Sequence, residues 1–178
     1  MLITSEKLRA IYKECPKERI ELFLPFLNDT MEKFEINTPA RMRMFLAQIG
    51  HESGQLRYTE EIASGEAYEG RRDLGNTSTG DGIKFKGRGL IQITGKNNYI
   101  LCGLDLDLPL LEHPEMLCDP ELATRSGGWF WNEHNLNALA DLGQFRVISY
   151  RINGGHEPKD PNGWAGRVML LNRASSVI

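Results

Sequence analysis

The stretch Ala47-Gln48-Ile49-Gly50-His51-Glu52-Ser53-Gly54 sets a histidine beside a glutamate directly after apolar residues. A zinc site of the H-E-x-x-H type needs a second histidine one helical turn on, and Gln55 occupies that position. His113, His134 and His156 stand alone without ligand spacing, so no metal and no other cofactor is expected. Glu52 is better suited to acid chemistry. It follows Ile49 by three residues, on the buried face of a predicted helix, and lies at that helix's C-terminus. Partial burial and the negative end of the helix dipole both disfavour ionisation, which suits a glutamic acid that donates a proton near neutral pH. The same residues also fit a solvated glutamate at a frayed helix end. Acid-catalysed glycoside cleavage with inversion requires a second carboxylate roughly 6.5–9.5 Å away, leaving room for a water. Glu60, Glu61, Glu66, Glu69, Asp73 and Asp81 all follow Glu52, and residue type alone selects none of them.

The elements that must position these groups read as helices. Thr4 or Ser5 can cap a helix with Leu8, Ile11, Tyr12 and Cys15 on one face. Pro16 can start a second helix, with Ile20, Leu22, Phe23 and Leu24 as core candidates and a kink or restart at Pro25. Thr38 and Pro39 are suited to the N-cap and first position of a third. Met42, Phe45, Leu46 and Ile49 then form one buried stripe, and Gly54 is a stop signal. From Tyr58 to Phe85 the chain is rich in Gly, Ser, Thr and charge, which predicts one long polar surface loop that moves when empty. Leu90 to Thr94 reads as a short strand or a helix entry. Helical patterns return over 120–139, 144–152 and around Trp164, Val168, Leu170 and Leu171. Trp129 and Trp131 read as core, with sugar stacking as the alternative.

The bulk properties exclude more than they select. With 178 residues, 40% hydrophobic and 25% charged, the chain suits a single domain with its own core. A net charge of -3 gives no global reason to bind nucleic acid. No apolar run is long enough to span a bilayer, so no stable membrane association is expected. Charges interrupt the N-terminal segment where a signal peptide needs an apolar core, and Cys15, Cys102 and Cys118 show no ligand spacing. These features point to a protein made in the cytoplasm with free thiols.

Two longer stretches carry a resemblance. Phe45 to Gly54, "FLAQIGHESG", and Phe85 to Tyr99, "FKGRGLIQITGKNNY", are similar to the two signatures of the family 19 glycoside hydrolases, the chitinase-like family. "INGG" at 152–155 is a third match, and the resemblance spans roughly Thr38 to Arg173. The helical N-terminal part resembles the bacteriophage endolysin branch, whose members degrade peptidoglycan. What this implies is a mainly α, single-domain lysozyme-like or chitinase-like fold over 1–178, with a long polar loop and at most a small β element beside the cleft. No separate cell-wall-binding module is expected.

The resemblance also implies roles by position. Glu52 matches the general acid and Glu61 the general base, with Glu60 one residue away as the alternative. Thr94 matches the residue that holds the attacking water. Gln92 and Asn98 match sugar-binding side chains, with Tyr99 beside them. Asn153 matches an asparagine that orients substrate, and Glu157 and Arg167 match a polar pair deeper in the cleft. His51 is placed with the substrate-binding group as a buttress for Glu52. The implied activity is hydrolysis of β-1,4 bonds in peptidoglycan by a monomer that reaches the cell wall after membrane permeabilisation. A chitinase acting on chitin oligosaccharides and a non-catalytic glycan-binding protein are the alternatives. The cysteines of plant-type members are absent, as are several of their sugar-subsite loops.

Overall fold

Short polar side chains start the helices that carry the site. Thr4 accepts from the Lys7 N–H and opens α1 (Ser5–Ile11). Thr38 accepts from the Arg41 N–H at 3.3 Å and opens α3 (Pro39–Glu52), with Pro39 in the first turn. Asp119 accepts from Glu121 and Leu122 and opens α6 (Pro120–Glu133). The other helices are α2 (Lys17–Lys33), α4 (Asp81–Lys84), α5 (Lys96–Leu106), α7 (Leu136–Asp141), α8 (Phe145–Asn153) and α9 (Trp164–Ser175). These elements come from a computed structural model that describes residues 2–154 and 156–178. No helix among the described residues is long and apolar enough to cross a membrane.

The predicted stripe of α3 is entirely buried: Met42, Phe45, Leu46 and Ile49 are each at most 1% exposed. It packs chiefly against α9 and also against α7, while α2 packs on α6. Phe45 meets Trp131 edge-on at 5.3 Å between ring centroids, and Trp129 is also buried, so both tryptophans belong to the core.

Three local expectations are corrected by tertiary packing. Pro25 neither kinks nor restarts α2, which runs through it. The ring faces solvent, and burial of Ile20, Phe23, Leu27 and Met31 against α6 holds the turn that lacks one hydrogen bond. Leu22 is exposed rather than core. The helical pattern over 120–139 divides into α6 and α7, because Asn135 adopts the left-handed conformation at φ 51°.

The polar stretch 58–85 is a long loop that carries short elements of its own. It folds into two 3₁₀ turns, Glu66–Tyr68 and Arg72–Leu74, followed by α4. Two buried polar residues tether it. Asn76 donates to the Tyr68 carbonyl at 2.9 Å and accepts from the Lys96 N–H at 2.9 Å. Asp81 accepts from the N–H groups of Thr77 and Ser78 and pairs with Lys96 at 3.2 Å. Composition does not reveal such tethers. The only β structure among the described residues is a pair of antiparallel bridges, Glu60 with Arg88 and Arg88 with Ile93.

Candidate active site

Glu52 is the last residue of α3, and its carboxylate meets the guanidinium of Arg167 on α9. The Arg167 side chain is fully buried, whereas that of Glu52 is 15% exposed. Each part of the guanidinium has a partner: Nη2 donates to Glu52, Nη1 to Gln48 Oε1, and Nε to the Asn162 carbonyl at 3.0 Å. Gln48 precedes Glu52 by one helical turn, so both face α9 together. It donates to Ser149 at 2.8 Å, which extends the network to α8.

His51, the residue before Glu52, packs against the start of α9. Its ring lies so close to Gly163 and Gly166 that a Cβ at Gly163 would overlap it, and Gly163 also needs its left-handed φ of 69°. Burial pushes the imidazole's pKa down and the Arg167 charge adds to this, with Glu52 opposing. His51 is therefore a neutral wedge between α3 and α9 at neutral pH.

The second cluster forms where 59–61 runs beside 87–89. Successive strand residues point to opposite faces, so Glu60 and Glu61 separate. Glu60 accepts from Arg88 Nε at 3.0 Å and lies 3.4 Å from Lys86 Nζ, so its carboxylate braces the strand pair. Glu61 turns the other way. Its Oε2 accepts from the Gly87 N–H at 3.1 Å and its Oε1 from the Tyr68 hydroxyl at 3.0 Å. The geometry thus separates two neighbours that residue type left equivalent.

Three polar side chains converge on the bare Cα of Gly87. A methyl group there would sit 2.8 Å from Gln92 Oε1 and 3.2 Å from both Glu61 Oε2 and Thr94 Oγ1. Glu61, Gln92 and Thr94 therefore border one small space that a glycine keeps open. Thr94 donates to the Gln92 carbonyl at 2.9 Å, which leaves its lone pairs able to accept from a water. Gln92 holds φ 60° at the tip of the tight turn between Arg88 and Ile93 and donates to the Gly89 carbonyl at 2.9 Å. Strained backbone of this kind persists only where neighbours over-determine it, and it recurs at functional sites. Asn98 is exposed and donates to the Thr94 carbonyl at 2.7 Å, which puts its amide on the same rim.

The remaining predicted residues are placed differently. Tyr99 is fully buried and donates to the Lys86 carbonyl at 2.7 Å, so it supports the 86–94 segment from behind rather than lining an open rim. Arg167, equally buried, holds Glu52 and Gln48. Glu157 does not pair with it: Glu157 is exposed, and the guanidinium is occupied by Glu52, Gln48 and Asn162. Asn153 is exposed at the end of α8. The last glycine of the "INGG" match, Gly155, lies outside the described residues. Gln48 and Tyr68 were missed in the sequence. A glutamine one turn before Glu52, within an otherwise apolar stripe, was a readable signal for the first; nothing local marked the second.

A mainly helical frame with one carboxylate on an arginine and a second beside a hydroxyl and an amide defines a lysozyme-like or chitinase-like protein. Comparison with known proteins places it further. The chain is 30% identical over 156 residues to a glycosyl hydrolase family 19 domain-containing protein of Haemophilus influenzae, covering 70% of this chain and 76% of that one. It therefore belongs to glycosyl hydrolase family 19. It is 41% identical over 111 residues to an endochitinase of Arabidopsis thaliana, covering 62% of this chain and 38% of that protein, so it spans about two fifths of the plant relative's length. The crystal structure of a bacterial family 19 chitinase shares the fold, with a TM-score of 0.78 at 21% identity over 99% of this chain and 95% of that one. No family model matches the chain.

Proposed function

We propose that the chain hydrolyses β-1,4 bonds of an N-acetylated glycan with inversion, and that its substrate is bacterial peptidoglycan, cut by an endolysin. The observation that carries the reading is the space over Gly87, bordered by Glu61, Thr94 and Gln92. A water seated there donates one hydrogen to Glu61 Oε2 and the other to Thr94 Oγ1 or Gln92 Oε1. Glu61 removes its proton as the water oxygen bonds to the anomeric carbon. Glu52 first takes a proton from solvent, against its ion pair with Arg167; the glycosidic C–O bond breaks on the other face of the sugar as Glu52 gives that proton to the departing oxygen. One water is consumed, and the carboxyls reset through solvent. Arg167 and His51 orient Glu52, while Gln92, Asn98 and Asn153 hold sugar substituents. A bacterial relative covering most of both chains is consistent with peptidoglycan, while a bacterial family 19 chitinase of the same fold is consistent with chitin. The endochitinase name of the plant relative supports the second reading, a chitinase acting on chitin oligosaccharides.

Purified peptidoglycan and chitin oligosaccharides, incubated in parallel, test this. New reducing ends without new free amines from peptidoglycan, with the initial product the inverted anomer by NMR, is the expected result. Cleavage of chitin oligosaccharides alone supports the second reading, and binding without cleavage of either makes the chain a glycan-binding protein. Gly87→Ala is a sharper probe of the water seat. Its backbone suits alanine, so the melting temperature should stay near wild type. Turnover should fall about 100-fold, the scale expected when a reacting group is displaced by about 1 Å.

A further inference from the structure

Tyr68 stands seven residues after Glu61, yet its hydroxyl returns to donate to Glu61 Oε1 at 3.0 Å. The return is built in. The Tyr68 N–H donates to the Gly65 carbonyl at 2.9 Å, closing the 3₁₀ turn that carries it. Its carbonyl accepts from Asn76, which is fully buried and in turn accepts from the first N–H of α5 at Lys96. Thr94 leads into the same helix, and its carbonyl is held by Asn98 on that helix. One frame, the start of α5, therefore positions both the phenol that reaches Glu61 and the hydroxyl beside it.

We propose that Tyr68 is a positioning residue for hydrolysis: its hydroxyl fixes the Glu61 carboxylate with Oε2 turned toward the space over Gly87. The proposal rests on Glu61 acting as the base. A carboxylate held at one oxygen only, by the Gly87 N–H, can swing about its terminal bond. With a second donor on Oε1, the two oxygens are distinguished, and the one beside Thr94 and Gln92 is presented to the water. The phenol keeps the proton it donates, since burial, the hydrogen bond to Glu61 and the Glu61 charge all push its pKa up. Tyr68 exchanges no proton with substrate; it orders the group that does.

Tyr68→Phe and Tyr68→Leu in the full chain test this, with two readouts. The first is the NMR signal of the Glu61 carboxyl carbon at fixed pH, identified by its loss in Glu61→Gln. In Tyr68→Phe that signal should shift, because the donor to Oε1 has been removed. The second is turnover of the cleaved glycan. kcat should fall about tenfold with KM little changed. Tyr68→Leu should match Tyr68→Phe. An unmoved Glu61 signal in Tyr68→Phe, or a loss confined to Tyr68→Leu, overturns the proposal in favour of simple ring packing. The signal needs no turnover. Full activity in Glu61→Gln would sink the functional reading separately, while the signal still decides whether Tyr68 holds Glu61.

Discussion

Glu61→Gln is expected to lower turnover by about 10²–10⁴-fold, the usual contribution of a positioned general base, with substrate affinity largely kept. Glutamine preserves the shape but has one acceptor oxygen, so it can keep only one of the bonds from Tyr68 and the Gly87 N–H, and it cannot take a proton from water. Glu52→Gln should show a loss of similar size on the natural glycan, for the opposite reason: the departing oxygen is left without a proton. The two variants are separated by substrate. An aryl glycoside whose leaving group departs without protonation should recover much of its rate with Glu52→Gln and none with Glu61→Gln. Added azide should rescue Glu61→Gln by attacking in place of activated water. Glu60→Gln should leave turnover largely intact, because its carboxylate is engaged by Arg88 and Lys86 on the opposite face of the strand. Equal losses in Glu60→Gln and Glu61→Gln would mean that the strand pair as a whole, rather than one carboxylate, was being measured.

Arg167→Met is the second large effect. The guanidinium is fully buried and serves Glu52, Gln48 and the Asn162 carbonyl at once. Its removal leaves a carboxylate and an amide oxygen without their donor, at a site where Glu52 is only 15% exposed. Breaking a buried pair by removing one partner costs about 3 kcal/mol. For a chain of this size that lowers the melting temperature by about 6–12 °C. Thermal denaturation beside activity on folded protein separates the two consequences, and the loss of turnover should persist well below the melting transition. Arg167→Lys should recover little of either, since a single ammonium lacks the planar fork that reaches three acceptors. Wild-type stability in Arg167→Met would show that Glu52 finds adequate solvation alone, and would remove the reason to assign Arg167 an orienting role.

The local grammar of the chain was readable because it acts over a few residues. The Thr38 cap, Pro39 and the stripe from Met42 to Ile49 announce α3, and they place Glu52 at its end with one side toward the core. The spacing of the segments around Glu52 and Gln92 was enough to suggest a family that the comparisons support. Pro25 misled because a proline's local preference is worth a few kcal/mol at most, and packing of α2 on α6 outweighs it.

What the sequence determined by itself was a set of helices and a short list of carboxylates; which carboxylates do the work was decided in three dimensions. Glu60 and Glu61 are indistinguishable by type, and only the pairing of their strand with Gly87 and Arg88 sends one to an ion pair and the other to the open space by Thr94. Arg167 reaches Glu52 and Gln48 across 115 and 119 residues of chain, and Tyr68 reaches Glu61 only because Asn76 ties its turn to α5. Helix caps and apolar periodicity are short-range and leave their mark in neighbouring residues. Ion pairs and hydrogen bonds between distant segments exist only once the core has closed and brought those segments together.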